Sequence, residues 1–395
     1  MTRGTRTLTF LAAGLCAVGS GSLALDGGSV AVAADEKVAA PPTQDAAKKK
    51  DPRARLAEPW PDAEKMQKRR EDAETRRLFQ DSDPLPFTLT ADFKAVNKDR
   101  NPASTRRFPG KLSIVSEDGQ PRSIPVTLRT RGHSRLVHNC DFVPIRVDFP
   151  KEDVKGTPLE SHGALKLGTH CYDSKEYEQY TLREYLAYRL FNLFTPRSFR
   201  VRLARATYVD SNRGKTLATR YAMFLESEGD VARRLEGRIA ELPRTIFRNL
   251  DSESLTLLML FEYMIGNTDF SIHALHNVRL VQNQARVLHP VPYDFDYSGL
   301  VNARYAVPSR LLRLKTVQER AYRGPCRTLE ELQPFLAAFR AKKADVMAVV
   351  DSVPDMDSGS RRDAKEYLEE FYSTINHPGT VKRRLVEGCS NRVTM

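Results

Sequence analysis

The hydrophobic positions of this chain follow two different periods, one in each half. Between residues 86 and 226, short apolar segments alternate with polar positions and are separated by turn residues, a pattern typical of β-strands. The predicted strands are 112–115, 124–130, 143–149, 164–167, 201–208 and 220–225. Residues 180–194 instead place apolar side chains at helical spacing, so they predict one helix among the strands. This half of the chain is therefore predicted to be α+β.

From Ser227 onward the apolar positions follow a mainly helical period. Asp251 or Ser252 is placed to cap a strongly apolar helix, and Gly266 is placed to end it. Short strands are predicted at 278–281 and 285–288, and later helices at 329–350 and 361–372. The second half, up to about residue 390, is therefore predicted to be mostly helical.

Two segments precede these halves. Residues 1–34 begin with arginines, continue with an apolar run at 8–18, and reach small residues up to Ala33 and Ala34. This order predicts a secretory signal peptide cleaved near Ala34. An N-terminal membrane anchor is the alternative, but the apolar run is shorter than the roughly 20 residues that span a bilayer. The mature chain is thus predicted to be exported, periplasmic or secreted, without a transmembrane helix.

Residues 35–85 contain few apolar positions and many Ala, Pro, Lys, Arg and Glu residues. This composition predicts a charged linker, with one polar helix at about 62–78. The whole chain has 395 residues, 41% hydrophobic and 28% charged, which suffices for a sizeable core and excludes a disordered protein.

The charge balance favours acidic partners. The formal net charge is +12, of which the predicted signal peptide contributes +1, so the mature chain carries +11. Such an excess favours nucleotides, anionic polymers or membrane surfaces, although a solvated basic surface would give the same count. Arginines do not alternate with aromatic residues as they do in single-strand binders, so nucleic acid is not the favoured partner.

Export changes the interpretation of the cysteines. Without the cysteine of the signal peptide, four remain: Cys140, Cys171, Cys326 and Cys389. An even number in an oxidising compartment favours disulfides. The preferred pairing joins Cys140 to Cys171 and Cys326 to Cys389, although four cysteines allow three connectivities.

A zinc site is the alternative for the first cysteine pair. Its ligands would be His138, Cys140, His170 and Cys171. Their spacing lacks the paired form that structural zinc sites usually have.

Polar side chains stand at the ends of short apolar segments in the second half. Asp269 follows the helix that ends at Gly266, and Asp294 and Asp296 follow a short apolar segment. Oxygen ligands suit hard cations such as Mg²⁺, and phosphoryl transfer needs mainly positioning and charge stabilisation from the protein. The sequence therefore predicts a phosphoryl-transfer site.

At these residues the chain resembles the secreted spore coat protein H (CotH) group of atypical kinases, and more loosely the HipA kinases. The matching segments are 131–134 (RGHS), 164–167 (ALKL), 182–191 (LREYLAYRLF), 266–269 (GNTD) and 292–299 (PYDFDYSG). The likeness covers about residues 86–350.

The resemblance implies a bilobal protein-kinase-like fold, with a strand-rich lobe at 86–226 and a helical lobe at 227–390. It implies transfer of the γ-phosphoryl group of ATP, with Mg²⁺ or Mn²⁺, to a hydroxyl of an exported protein or envelope polymer. Two alternatives remain open. One is a non-catalytic envelope scaffold. The other is a metal-dependent phosphoesterase that uses His273 and His276 with Asp269 and Asp294.

The resemblance also assigns roles in nucleotide binding. Lys166 would contact the phosphates and form an ion pair with Glu184, because a lysine in an apolar strand needs an anionic partner. A solvent-facing lysine on an edge strand is the alternative. Arg131 and Gly132 would form a turn over the phosphates, since glycine lets backbone N–H groups approach an anion. An ordinary hairpin glycine would look the same in the sequence.

The remaining roles concern catalysis and the metal. Asp269 would orient or deprotonate the attacking hydroxyl, and Asn267 would hold its loop. Asp294 would be the principal metal ligand, Asp296 an accessory ligand and Asn277 an amide ligand. Loop capping by Asp269, and a solvated turn at Asp294 and Asp296, are the alternatives without function.

Overall fold

In the part of the chain that the structure describes, seven strands close into a barrel in the order β1–β2–β3–β4–β5–β7–β6. The strands are β1 Leu85–Ala91, β2 Phe108–Val115, β3 Pro121–Thr130, β4 Ile145–Asp148, β5 Ala164–Gly168, β6 Val201–Asp210 and β7 Thr216–Leu225. Alternating side chains of these strands point inward and form the hydrophobic core of the barrel.

The molecule is described by a computed structural model that covers residues 56–137 and 140–389. The chain divides into two units, Met1–Lys49 and Lys50–Met395, and all described residues belong to the second. The predicted signal peptide at 1–34 therefore lies outside the described residues.

The barrel closes through a parallel pair that the sequence did not predict. β1 pairs with β6 from Leu85 opposite Ala204 to Ala91 opposite Asp210, and it also pairs antiparallel with β2. A barrel closed in this way, with helices around it, does not match a bilobal protein-kinase-like fold. That predicted fold is therefore wrong. β1 was missed because its residues lie across the predicted boundary between linker and strand-rich half.

A second sheet follows the barrel in the chain. Within the described residues it has the order β10–β9–β8, with β8 Arg238–Ile239, β9 Val278–Gln282 and β10 Leu288–Pro292. β10 starts where the sequence predicted the strand to end, because a turn from Asn283 to Val287 joins it to β9. In this turn the N–H of Val287 donates to Oδ1 of Asn283 at 2.9 Å.

The described helices differ in length and lie mostly in the second half of the chain. They are α1 Ala63–Glu74, α2 Phe93–Lys98, α3 Ser134–Val137, α4 Lys175–Phe194, α5 Glu228–Arg234, α6 Ser252–Ile265, α7 Leu329–Ala341, α8 Lys343–Ser352, α9 Ser358–Asn376 and α10 Pro378–Val381. Short 3-10 turns lie at Arg77–Phe79, Phe247–Asn249 and Arg310–Leu312, and one π-helical turn lies at Lys382–Val386. The predicted helix at 329–350 is thus two helices that meet at Lys342.

The predicted limits of α6 are confirmed. Asp251 is the N-cap residue and accepts a hydrogen bond from the N–H of Ser254 at 2.8 Å. Gly266 ends the helix at φ +64°, a conformation that glycine adopts without steric cost. α6 is buried along most of its length and packs with α4 and the second sheet in the larger core. This core fixes the position of the loop that follows Gly266.

The described part of the predicted linker packs against the folded unit. Its polar helix is α1, which overlaps the predicted range. The guanidinium of Arg200, next to β6, donates to the carbonyl of Ala73 at 2.6 Å, and Arg76 lies 3.4 Å from Asp230 on α5. From Leu56 onward this segment is therefore fixed to its neighbours.

Both predicted disulfides are present. Cys140 is bonded to Cys171 and Cys326 to Cys389. The zinc alternative fails, since both of its cysteines are in a disulfide, and His138 lies outside the described residues. Within the described segments, no helix has the length and apolar character needed to cross a bilayer.

Candidate functional site

A cleft of about 340 Å³ brings most of the predicted site residues together. The predicted residues that line it are Arg131, Gly132, Lys166, Glu184, Asp269, Asn277, Asp294 and Asp296. They come from the segment after β3, from β5 and α4, from the loop after α6, and from the loops flanking β9 and β10. Asn267 does not line the cleft, because it is buried beneath Asp269.

The loop after α6 presents Asp269 to the cleft in a fixed orientation. Oδ1 of Asn267 accepts a hydrogen bond from the N–H of Asp269 at 3.0 Å. The guanidinium of Arg323 donates to the carbonyls of Thr268 and Phe270 at 2.8 and 2.7 Å. These contacts hold the backbone on both sides of Asp269. Arg323 was not predicted, because it follows the loop by more than fifty residues.

Both carboxylate oxygens of Asp269 have partners. Nε2 of His276 lies 3.2 Å from Oδ1, and Nδ2 of Asn277 donates to Oδ2 at 3.2 Å. The hydrogen bond to Asp269 raises the pKa of His276, with a further contribution from the charges of Asp269 and Asp294. These two contacts fix the carboxylate of Asp269 at the cleft.

The side-chain amide of Asn277 contacts Asp269, and its role as a metal ligand stays a prediction. Its amide nitrogen donates to the backbone carbonyl of Asp269 at 2.7 Å as well as to the carboxylate. Its own carbonyl accepts the N–H of Tyr293 at 2.9 Å, which ties the loop to the end of β10. In the structure Asn277 therefore orients Asp269.

Beneath this loop, Glu262 is a buried carboxyl group. Burial raises its pKa to about 8, and Asn267, Arg323 and Asp269 are the neighbours that act on it. Burial therefore favours the uncharged form of Glu262 beneath the loop.

Asp294, Asp296 and Glu184 are the other carboxyl groups that line the cleft. Asp294 has φ +66°, which is uncommon for a residue other than glycine, and its N–H donates to the hydroxyl of Tyr188 at 2.7 Å. Burial, followed by the charge of Asp294, raises the pKa of Asp296 to about 7. Burial also raises the pKa of Glu184 well above its usual range, followed by the charges of Asp296 and Asp294.

Within the described chain, no lysine, arginine or histidine forms an ion pair with these three carboxyl groups. The closest cationic influence comes from Arg135 and Arg131, which lower the pKa of Glu184. Buried carboxylates without a close cation are costly. A divalent cation between Asp294 and Asp296 would offset their repulsion, so the donor set fits a hard cation.

The described residues contain no group of three or more His, Cys, Asp or Glu side chains suited to hold a metal by themselves. Mg²⁺ is commonly held by one or two carboxylates, with water and substrate phosphates supplying the other ligands. Asp294 and Asp296 suit this second arrangement. His273 does not line the cleft, so the four ligands of the phosphoesterase alternative do not meet.

Lys166 does not pair with Glu184, contrary to prediction. Its Nζ lies 2.9 Å from Oε1 of Glu228, and Nε of Arg279 lies 3.0 Å from the same oxygen. Glu228 begins α5, directly after β7, and β7 pairs with β5 so that Lys166 is opposite Leu225. The end of β7 therefore brings Glu228 to the lysine, while Glu184 faces Asp296.

An aromatic ring lies under these two cations. Nζ of Lys166 is 4.5 Å and the guanidinium carbon of Arg279 is 4.7 Å from the ring centroid of Tyr293. Burial lowers the pKa of Lys166 and the charge of Glu228 raises it. Arg279 was not predicted, although a charged residue between Val278 and Leu280 in an apolar strand was a usable signal.

The segment after β3 covers one side of the cleft. The N–H of Arg131 donates to the carbonyl of Pro144 at 3.0 Å, which leaves its side chain at the cleft. Gly132 has φ +84°, with open space where a Cβ would be. Arg135, which was not predicted, donates to the carbonyl of Thr169 and directs positive charge toward Asp296 and Glu184.

The two acidic loops are joined behind the cleft. The N–H of Gly299 donates to the carbonyl of Gly266 at 3.1 Å, and the N–H of Leu300 donates to that of Ile265 at 3.0 Å. The hydroxyl of Tyr367, on α9, fills the space where a Cβ of either glycine would lie. These contacts fix the spacing between the loop of Asp269 and the loop of Asp294.

The chain matches no protein-family model and no curated protein. Among solved structures it is similar to the crystal structure of a Helicobacter pylori proinflammatory kinase, CtkA, with a TM-score of 0.31 and 12% identity. The match covers 60% of this chain and 90% of that one. A likeness at this level is too weak to support a conclusion about fold or function, and the spore coat protein H family is not shown by it.

Proposed function

We propose that the cleft binds ATP with a divalent cation, Mg²⁺ or Mn²⁺, and that the exported protein transfers the γ-phosphoryl group to a hydroxyl of a protein or envelope polymer. One observation carries this proposal. A single cleft of about 340 Å³ is lined both by carboxylates at Asp269, Asp294 and Asp296 and by cations at Lys166 and Arg279. Phosphoryl transfer needs both charges in one place, because the cations bind phosphate oxygens while the carboxylates hold the metal and the acceptor.

The phosphate chain would lie along Lys166 and Arg279, which together form the cationic wall of the cleft. Lys166 and Arg279 are adjacent and point at one region, since both contact the same oxygen of Glu228. The flexible lysine and the planar guanidinium bind phosphate in complementary ways. An incoming phosphate would replace the Glu228 carboxylate between them. Gly132 leaves its side of the cleft open to backbone contact with an anion.

Asp294 and Asp296 would hold the divalent cation. When bound there, the metal ion would neutralise charge on the phosphate oxygens. The uncommon backbone of Asp294 is held by the hydroxyl of Tyr188, and strain of this kind is often stored at functional sites. Arg135 moderates the negative potential behind these carboxylates without an ion pair to either.

Asp269 would position the acceptor. The acceptor oxygen forms a bond to the γ-phosphorus, the bond from that phosphorus to the β–γ bridging oxygen breaks, and ADP leaves with the electron pair. Asp269 receives the hydroxyl proton, while His276 and Asn277 keep its carboxylate aimed at the acceptor. The two disulfides are consistent with an acceptor outside the cytoplasm.

A non-catalytic nucleotide-binding scaffold is the second candidate. The observation that favours it is the position of Lys166, which is held by Glu228 rather than by the predicted Glu184. A protein that only binds nucleotide would keep the cationic wall and show no turnover.

The test uses the purified protein, γ-labelled ATP, and Mg²⁺ or Mn²⁺ with EDTA as the metal-free control. We expect metal-dependent nucleotide binding and label transfer, and we expect D294N to lose binding roughly 100-fold, since even residues that only support metal ligands are worth 10- to 100-fold. The matched control is D153N, an exposed aspartate outside the cleft. Binding without turnover would favour the scaffold. ATP binding that is independent of metal and unchanged in D294N would reject the proposal.

A further inference from the structure

A second groove, of about 560 Å³, adjoins the cleft. The two share Ser134, Asp269, His276 and Tyr297 as lining residues. Asp269 therefore stands at the boundary between them, with one side toward the carboxylate-lined cleft and the other toward the groove. A molecule seated in the groove would place a group beside Asp269 without displacing anything from the cleft.

Beyond Asp269, the groove is lined by both polar and apolar side chains, and the apolar ones come from two segments. Phe270 comes from the loop after α6, and Val307, Pro308 and Leu311 come from the segment that follows Tyr305. Val307 is 59% exposed and Leu311 is 69% exposed, so both are open to solvent. Exposed apolar side chains grouped at one place on a surface are typical of a binding site.

Positively charged residues lie close in the chain to Leu311 of the groove. Arg310, Arg313 and Lys315 are exposed and lie on the segment that carries Leu311. None of the three forms an ion pair with an acidic side chain within residues 56–137 and 140–389. Arg304, on the same segment, differs because it lies 2.9 Å from Glu176. The segment thus brings exposed aliphatic side chains to the groove and carries cations without ion pairs next to them in the chain, which is complementary to an acidic and partly apolar partner.

We propose that this groove is the acceptor site, and that it takes an acidic polypeptide segment in which an apolar residue flanks the hydroxyl that receives the phosphoryl group. This inference rests on the proposed function. The apolar residue would pack on Val307 and Leu311, acidic residues would meet Arg310 and Arg313, and the hydroxyl would reach Asp269. A polypeptide fits better than a glycan, because the two most exposed apolar residues of the groove, Val307 and Leu311, are aliphatic and offer a sugar neither hydrogen bonds nor an aromatic face.

The experiment measures peptide binding and phosphoryl transfer separately. The probes are three fluorescein-labelled peptides with one serine: serine flanked by leucines and glutamates, the same peptide with lysines for glutamates, and the same peptide with serines for leucines. Binding is followed by fluorescence anisotropy without nucleotide. Transfer is followed with γ-labelled ATP. We expect the acidic and apolar peptide to bind most tightly and to be labelled most.

Variants of the groove are compared with matched changes elsewhere. L311S should weaken binding of the acidic and apolar peptide roughly tenfold, equivalent to about 1.4 kcal/mol, because the apolar residue of the peptide loses part of its apolar contact. V115S, at an exposed valine on β2, is its control. R310E/R313E should reverse the preference toward the lysine peptide, whereas R213E/K215E, in the exposed turn between β6 and β7, should not.

The outcomes separate this inference from the proposed function. If ATP binds and is turned over, but the three peptides bind equally or the groove variants behave like their controls, the acceptor site lies elsewhere. If polysaccharide from the envelope is labelled and no peptide is, the polypeptide assignment is wrong. If ATP does not bind at all, the proposed function fails, while peptide binding and its loss in L311S still decide whether the groove is a docking site.

Discussion

Asp269 and Asp296 line the same cleft, but their surroundings are opposite. Asp269 is partly exposed, and each of its carboxylate oxygens has a hydrogen-bonding partner, His276 or Asn277. Asp296 is buried beside Asp294 and Glu184, and burial raises its pKa to about 7. A satisfied carboxylate is ready to orient a substrate group, whereas one without a cation is ready to receive a cation. The difference suggests that two similar residues divide the work of the site.

The largest expected effect is on the satisfied carboxylate. D269N should retain metal-dependent ATP binding and lose label transfer by about 10²- to 10⁴-fold, the range for a positioned general base. The loss should appear in kcat rather than in nucleotide affinity, because the contribution belongs to the transition state. H276Q serves as a graded comparison and should lose less, since Asn277 still holds Asp269. Equal activity of D269N and the unmodified protein would remove Asp269 from the chemistry.

The opposite behaviour is expected of Asp296, the buried carboxylate without an ion pair. D296N should weaken metal-dependent ATP binding by roughly 10- to 100-fold, as loss of an accessory ligand does. In the absence of metal the same change should stabilise the fold by about 1 kcal/mol, because it removes one charge from three crowded carboxyl groups. Thermal unfolding with and without Mg²⁺ measures both effects. Destabilisation in the metal-free protein would show that Arg135 already neutralises Asp296.

The smallest effect is expected at the cationic wall. E228Q should tighten binding of ATP and of inorganic triphosphate roughly fivefold, because it frees Lys166 and Arg279 from partly exposed ion pairs. E236Q, which removes the same charge from an exposed pair with Arg70, is the control. Weaker binding in E228Q would mean that Glu228 supports the two cations instead of competing with the ligand.

Local periodicity was sufficient to predict several elements. The apolar spacing at 180–194 gave most of α4, and the caps at Asp251 and Gly266 gave the limits of α6. The closure of the barrel was not predictable in this way, because Leu85 pairs with Ala204 across more than a hundred residues and neither segment records that partner. A parallel pair far apart in the chain leaves no turn signal between its strands.

The site shows the same limit at the level of single residues. Asp269 and Asp294 were recognisable because each follows an apolar element, and the structure brings both to one cleft. The partner of Lys166 was not recognisable from the sequence, because the choice between Glu184 and Glu228 depends on how β7 is aligned with β5. Asn277 contacts Asp269 in the structure. Its spacing in the sequence fits equally well a metal ligand and a residue that orients a neighbouring side chain.

The hydroxyl of Tyr367 fills the space beside both Gly266 and Gly299. Neither glycine has a side chain, and the single side chain of Tyr367 on α9 occupies the space behind both acidic loops. An alanine at either glycine would require a smaller residue at position 367, and a smaller residue there would leave an empty space behind both loops. These three positions should therefore evolve as a group, so related chains can be recognised by the joint presence of two glycines and a distant tyrosine.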